Sequence, residues 1–141
     1  MTEKEIKQWL SRAYRIEQQI QSKSEQIEVW KSLANKMTSN LSLINSGSGD
    51  NSRMETYCNK IADAQTEIAR QQIELINVRK EIEDTINKVT DVILRLLLEQ
   101  RYLLCKSWKE IADFMNLSID YIKKELHRQA LRAVGEILQK K

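Results

Sequence analysis

The sequence predicts an all-α protein in which a long antiparallel helical hairpin, a coiled coil, precedes a compact helix-turn-helix domain. Three observations support this prediction: few turn-forming residues, two long heptad stripes, and a densely apolar segment after them. The 141 residues include 3 Gly and 0 Pro, where average usage would give roughly ten and seven. Sheets and glycine-rich phosphate loops need more of these residues than the chain contains.

The first stripe extends from residue 6 to residue 41 with alternating spacings of three and four, the a/d pattern of a coiled-coil helix. Its members are Ile6, Trp9, Ala13, Ile16, Ile20, Lys23, Ile27, Trp30, Ala34, Met37 and Leu41. The pattern stops at residues 42–53, which contain two Gly, four Ser, two Asn and one Asp. This composition predicts a loop.

A second stripe of similar length follows the predicted loop. Its members are Met54, Tyr57, Ile61, Ala64, Ile68, Gln71, Leu75, Val78, Ile82, Thr85 and Val89. Laid antiparallel, the stripes match with position 41 opposite 54 and position 6 opposite 89. Lys23 then faces Gln71, and this polar layer favours the register because a shift would leave the ammonium in apolar surroundings. We therefore predict a hairpin domain over residues 1–90.

Several apolar residues of the hairpin lie off this seam. They are Leu10, Val29, Leu33, Ile73, Ile76 and Ile86. Single apolar residues are common on protein surfaces, but the set also suits two hairpins that join in a four-helix bundle. The second interpretation predicts a homodimer formed through the hairpin.

The second predicted domain covers residues 91–141. Apolar residues between 92 and 104 are too dense for a coiled coil and predict a helix buried in a core, which breaks near Cys105 and Lys106. Ser107 and Glu110 have the spacing of a capping box, so a new helix is expected to begin at Trp108.

The helix that begins at Trp108 is expected to end at Met115, because Asn116 readily adopts the left-handed conformation. Ser118 is a candidate N-cap for a further helix, with Ile122 and Leu126 facing inward. A short helix, a tight turn and a second helix, with the small Ala112 at their closest approach, predict a helix-turn-helix.

The charge of the chain is concentrated at its C-terminal end. Residues 118–141 contain six Lys and Arg against three Asp and Glu, whereas the two signs balance over residues 1–117. A local cationic excess suggests a polyanionic partner for this end.

The order of residues in this part of the chain resembles region 4 of sigma factors over about residues 91–134. The matching residues are Leu97, Arg101, Tyr102, the run from Ser107 to Ser118, Ile122, Lys123, Leu126, His127 and Arg128. The chain departs from the family pattern at two positions. Asn116 stands where the family has Gly. Gln129 separates Arg128 from Ala130 and Leu131, whereas in the family Ala-Leu follows the Arg directly.

The resemblance implies a sequence-specific transcription regulator that binds double-stranded DNA. It places the DNA-binding residues at Ser118, Ile119, Asp120, Tyr121, Lys123, Lys124, His127, Arg128 and Arg132. Asp120 would accept from cytosine, Lys124 would donate to guanine, and Lys123 and Arg128 would hold phosphates. The alternative for the charged residues is a solvated helix face with an ion pair between Asp120 and Lys124. His127 is expected on the helix surface or partly buried.

Residues 1–90 lack the aromatic promoter-melting region of a full sigma factor. The whole chain is more similar to the small sigma-like regulators of phages and prophages of Gram-positive bacteria. This likeness implies recognition of a promoter element in the bacterial cytoplasm and includes contact with RNA polymerase. A phage DNA-packaging subunit of the small terminase type and a coiled-coil scaffold without a DNA role are the alternatives.

Other classes find little support in the sequence. Carboxylates such as Glu81, Glu83, Asp63 and Glu67 lie among cations on helix surfaces, so no enzyme is predicted. One His and two well-separated cysteines, expected to be reduced and at least half-buried, indicate no metal or cofactor. The chain has no run apolar enough for a membrane span, and residues 1–10 are unlike a signal sequence, so we expect a soluble protein without a membrane partner. Tyr102, Trp108 and Phe114 are expected in the core.

Overall fold

The structure is a computed structural model that describes residues 1–43 and 48–140, and the side chains of residues 1–38 and 52–140. All regular elements of these ranges are helical, which confirms the all-α prediction. The α-helices are α1 (Glu3–Leu10), α2 (Arg12–Leu43), α3 (Ser48–Asn87), α4 (Val92–Leu98), α5 (Trp108–Met115), α6 (Ile119–Tyr121) and α7 (His127–Gln139). Two π-helical segments, Glu99–Leu103 and Ile122–Leu126, follow α4 and α6 directly.

The predicted loop at residues 42–53 is too long. Helix α2 continues to Leu43 and α3 begins at Ser48, so only residues 44–47 of the predicted loop lie outside the described helices. A composition typical of a loop is therefore partly helical here.

The chain divides into two compact units. One unit is Ile16–Glu74, and the other combines Met1–Arg15 with Leu75–Lys141. The predicted boundary at residue 90 follows the sequence pattern, whereas the units separate at residues 15 and 74. The base of the hairpin therefore belongs to the same unit as the C-terminal segment.

In the unit Ile16–Glu74, the heptad stripes form the seam between α2 and α3. Every stripe position whose side chain is described in this unit is buried or half-buried. Side-chain contacts run in opposite directions along the two helices: Lys60 lies over the ring of Trp30 at 5.8 Å, and the Thr38 hydroxyl contacts the Met54 sulfur at 3.9 Å. These contacts confirm the antiparallel arrangement.

The predicted polar pair of Lys23 and Gln71 is wrong. The Lys23 ammonium lies 3.6 Å from a carboxylate oxygen of Glu67, and the Gln71 amide donates to the Gln19 side chain at 3.1 Å. Each partner lies one helical turn from the predicted one. A long side chain reaches past the residue directly opposite it, and Lys23 gains more from a carboxylate than from an amide.

The other unit is built around one apolar core. Its buried residues are Ile6, Leu10, Ala13, Ile82, Ile86, Val89, Leu94, Leu97, Leu98, Ile111, Ala112, Ile122, Leu126, Ala130, Leu131 and Val134. Leu10 and Ile86, which lie off the predicted seam, are thus covered by the chain itself. Val29, Ile73 and Ile76 are exposed by 58, 64 and 68%.

Helix α4 starts at Asp91, whose carboxylate accepts hydrogen bonds from the amides of Ile93 and Leu94. Its buried side is formed by Leu94, Leu97 and Leu98. These residues confirm the predicted burial of the helix in a core, whereas Val92, Ile93 and Leu104 are exposed. The predicted break is present, and Cys105 adopts a left-handed conformation there with φ of 55°.

Candidate nucleic-acid interface

The turn between α5 and α6 has the predicted construction. The Ser107 hydroxyl accepts from the amide of Glu110, and the Glu110 carboxylate accepts from the amide of Ser107, which completes a capping box. The pKa of Glu110 is lowered, first by the Ser107 hydroxyl, which donates to its carboxylate at 2.9 Å, and then by the Ser107 amide. Asn116 ends α5 with φ of 56° and ψ of 41°, and the Ser118 hydroxyl caps α6 by accepting from the amide of Tyr121. The helix-turn-helix geometry is therefore fixed by local hydrogen bonds and one left-handed residue.

The helical segments of residues 119–139 follow one another without a break, and one side of them is anchored in the core. Ile122, Leu126, Ala130, Leu131 and Val134 are buried as predicted for Ile122 and Leu126. Helix α7 contacts both α1 and α4, and α5 contacts α6. The opposite side of residues 119–139 is consequently held in a defined orientation toward solvent.

The solvent side carries a row of cations spaced by four residues: Lys124, Arg128 and Arg132. All three are exposed, and residues four apart lie on one face of a helix. Among the described residues, none of the three takes part in a salt bridge, and the predicted pair of Asp120 and Lys124 does not form. We call these residues the cationic row.

The start of the helix is exposed as well. Ser118 and Asp120 face solvent, and Ile119 and Tyr121 are exposed by 40 and 46%. Lys123 is also exposed and directly precedes Lys124 of the cationic row in the sequence. Eight of the nine predicted DNA-binding residues are therefore accessible.

His127 is the exception, because it is buried with 6% of its surface exposed. Its Nε2 is 2.6 Å from the hydroxyl of Tyr102, and its ring packs edge-on against Trp108 with centroids 4.7 Å apart. Burial, followed by the positive charges of Lys7 and Arg101, lowers the pKa of His127 to about 4, and burial raises the pKa of Tyr102 to about 12. Both groups are therefore neutral at pH 7 and share one hydrogen bond, and His127 is a buried residue packed beside the core.

The prediction that the aromatic residues lie in the core holds in part. Tyr102 and Trp108 are half-buried and pack against the core. Phe114 is exposed by 54%, with the Lys106 ammonium 5.4 Å from its ring centroid. Leu117 is exposed next to it on the turn. Phe114 is exposed although it is apolar, because it lies on the side of α5 that faces solvent.

A cavity of about 540 Å³ opens beside the helix-turn-helix. Its lining includes Lys7, Tyr14, Arg101, Trp108, Lys123 and His127. The sequence analysis missed Lys7, Tyr14 and Arg101 as parts of a site. Leu10 was the available signal in the sequence that this end of the chain packs against another segment, because an apolar residue off the hairpin seam needs a packing partner outside the hairpin.

The carboxylates and cysteines that the sequence analysis considered form ion pairs or lie exposed. Glu81 pairs with Arg12 at 2.9 Å, and Glu67 pairs with Lys23 and Arg70. Cys58 and Cys105 are both exposed, which corrects the expectation of burial. Within the described ranges, no three His, Cys, Asp or Glu residues gather as metal ligands. The helices described here are either too short or too polar to cross a bilayer.

Comparison with known proteins gives no relative: no family model matches the chain, and no curated protein or solved structure matches it.

Proposed function

We propose that this chain is a sequence-specific DNA-binding transcription regulator of sigma-like type, which reads a promoter element with the helix that begins after Ser118. The observation that carries the proposal is the cationic row. Three exposed cations without carboxylate partners lie on a helix that is capped, oriented by a tight turn and anchored in a core. Duplex DNA offers this arrangement a row of phosphates, and a recognition helix enters the major groove with its N-terminal residues leading.

The residues divide into two roles. Because Lys124 lies in one row with Arg128 and Arg132, we assign all three to phosphates along the groove, where charge gives affinity for any sequence. This assignment replaces the guanine contact that the resemblance implies for Lys124. Ile119, Asp120 and Tyr121 suit base edges, because an apolar side chain can contact the thymine methyl group and a carboxylate can accept from the cytosine amino group. Contact with RNA polymerase and an origin in a phage or prophage are part of the same proposal and rest on the resemblance to sigma region 4.

The test begins with selection of bound duplexes from a random pool by the full chain. We expect one enriched promoter-like motif, and a slope of log affinity against log salt of about −3 for three or four neutralised phosphates. Lys124→Ala and Arg128→Ala should each weaken binding to all sequences and flatten the slope by about one. Asp120→Asn should instead relax the preference at a single base pair.

Lys80→Ala is the matched control, because Lys80 is an exposed helical lysine outside the proposed interface. It should leave DNA binding unchanged, and circular dichroism should show all variants folded. No retardation of any duplex at low salt would refute the proposal and leave the coiled-coil scaffold. A ring-sized oligomer that binds without sequence preference would favour the DNA-packaging alternative.

Self-association through the hairpin remains a separate proposal. Its support is now limited to exposed apolar residues such as Val29 and Ile73, because Leu10 and Ile86 are buried within the chain. Light scattering of the wild type and of a Val29→Ser, Ile73→Ser variant tests it. We expect a dimer that the double substitution dissociates, and a wild-type monomer at tens of micromolar would contradict it.

A further inference from the structure

The cavity beside the helix-turn-helix is large enough for a small ligand. Its volume of about 540 Å³ falls within the range of roughly 300 to 1,000 Å³ typical of ligand pockets. It lies within one compact unit, where residues of α1 meet the segment that leads into α5 and the helix that follows the turn. Its walls therefore belong to elements that share one core.

The charge of the lining is mostly positive. Lys7, Arg101 and Lys123 line the cavity, and no salt bridge involves them within the described part of the chain. The carboxylate of the lining is Glu110, whose Oε1 already accepts from the amide and the hydroxyl of Ser107. The cavity thus presents three cations against one carboxylate, a net positive lining.

The cations act on a common region. The charges of Lys7 and Arg101 both lower the pKa of His127, which also lines the cavity. Arg101 is held in place, because its guanidinium donates to the carbonyl of Lys106 at 2.9 Å and lies 4.3 Å from the ring centroid of Trp108. A positive potential over an ordered guanidinium is suited to an anion such as phosphate.

The other lining groups are aromatic. Tyr14, Tyr102, Trp108 and His127 contribute ring surfaces to the cavity. Tyr14 is 48% exposed and so can move against a ligand. Rings of this kind pack well against a planar ring, so the cavity combines an anion site with a surface for a flat group.

We propose that this cavity binds a small phosphorylated ligand that carries a planar ring, of the chemical class of a nucleoside monophosphate, and that its occupation weakens DNA binding. The link is Lys123, which lines the cavity, is exposed, and directly precedes Lys124 of the cationic row in the sequence. A phosphate held by Lys123 removes that cation from the DNA surface. The binding site stands on the geometry of the cavity alone, whereas the effect on DNA rests on the proposed function.

Binding is tested by calorimetry with the common nucleoside 5′-monophosphates, the matching nucleosides and inorganic phosphate. We expect at least one monophosphate to bind about tenfold more tightly than phosphate alone or its nucleoside. Lys7→Gln should weaken this binding about tenfold. Lys4→Gln is the matched control, because Lys4 is an exposed lysine on the same helix that does not line the cavity, and it should bind like the wild type.

Coupling is tested by titrating the same monophosphate into the complex with the selected duplex at constant ionic strength. Wild type and Lys4→Gln should lose DNA affinity, whereas Lys7→Gln should bind DNA normally and respond only at about tenfold higher ligand concentration. Binding of the ligand by a chain that binds no DNA would leave the site intact and refute only the proposed function.

Two results would overturn the inference. One is the absence of binding by every monophosphate at millimolar concentration in a chain that binds DNA. The other is equal competition in the wild type and in Lys7→Gln, since the ligand would then act at the DNA surface and outside the cavity.

Discussion

The two compact units differ in how they bury apolar surface. In Ile16–Glu74 the described buried apolar residues are Ile16, Ile27 and Ala64, and they lie along a single seam with the buried Gln71. The unit of Met1–Arg15 and Leu75–Lys141 has one continuous core, to which helices from both ends of the chain contribute side chains. The seam of the first unit lies between two helices only and is open to solvent on both sides. The core of the second unit is surrounded by several helices, and we call this unit the closed unit. The proposed DNA surface belongs to the closed unit, where side chains have a defined orientation.

This difference predicts unequal costs for the same kind of substitution. Leu97→Ala removes a fully buried side chain from the closed core and should cost about 2 to 5 kcal/mol of unfolding free energy. Ile27→Ala in the seam should cost roughly 1 to 2 kcal/mol, because helices that are open on both sides can relax around the gap. Urea unfolding measures both values.

Amide hydrogen exchange locates the effect. In Leu97→Ala we expect protection to fall together over residues 3–10 and 92–139, since these residues share one core. Exposed Lys36→Ala, which leaves no cavity, should change little and serves as the control. Equal losses at positions 97 and 27 would contradict the distinction between a core and a seam.

A pH dependence should sharpen the same comparison, because the one histidine of the sequence, His127, lies in the closed unit. The unfolded imidazole has an ordinary pKa of 6.5 and the folded one a pKa of about 4. Between these values the unfolded state binds more protons, so stability is full above pH 6.5 and falls as the pH is lowered toward 4. The expected loss is on the order of 2 kcal/mol.

His127→Gln provides the reference for this pH effect. The side-chain amide of Gln can still hydrogen-bond with the Tyr102 hydroxyl but does not titrate, so the variant should be less stable at pH 7 and its stability less sensitive to pH between 6.5 and 4. Carboxylates titrate in both proteins, and the difference between the two pH profiles isolates the imidazole. Parallel profiles would show that the imidazole has nearly the same pKa in the folded and unfolded states and would contradict the lowered pKa.

The comparison also explains what the sequence could predict. Heptad spacing predicted the seam, and short motifs predicted the caps at Ser107 and Ser118 and the left-handed Asn116, because each depends on neighbours within a few residues. The burial of Leu10 depends on a core shared by α1 and the C-terminal helices, more than a hundred residues away along the chain. No local pattern contains that information.

The errors in the candidate site have a related cause. Tyr102 lies in one π-helical segment and His127 follows the other. A π-helical segment bonds five residues apart and therefore shifts which side chains face inward relative to an α-helix. A period of 3.6 residues could not place His127 in the core. Phe114 was misplaced because its apolar character was weighted above its side of α5.

The smallest predicted effects concern two left-handed residues of the closed unit, Cys105 and Asn116, which have nearly equal φ values of 55° and 56°. Left-handed backbone costs an ordinary L-residue about 1 to 2 kcal/mol, but Asn adopts it more readily. Cys105→Gly should therefore raise stability by about 0.5 kcal/mol, after the greater freedom of glycine in the unfolded chain is subtracted. Asn116→Gly should change it by less than that.

Asn116→Ala should have the opposite effect and lower the free energy of unfolding by about 1 kcal/mol, because alanine lacks the polar side chain that favours the left-handed region. Denaturant unfolding of the three variants at neutral pH distinguishes these values. A gain at Asn116→Gly as large as the gain at Cys105→Gly would mean that the turn is under strain. The asparagine that replaces the glycine of the sigma pattern would then be a cost to the fold.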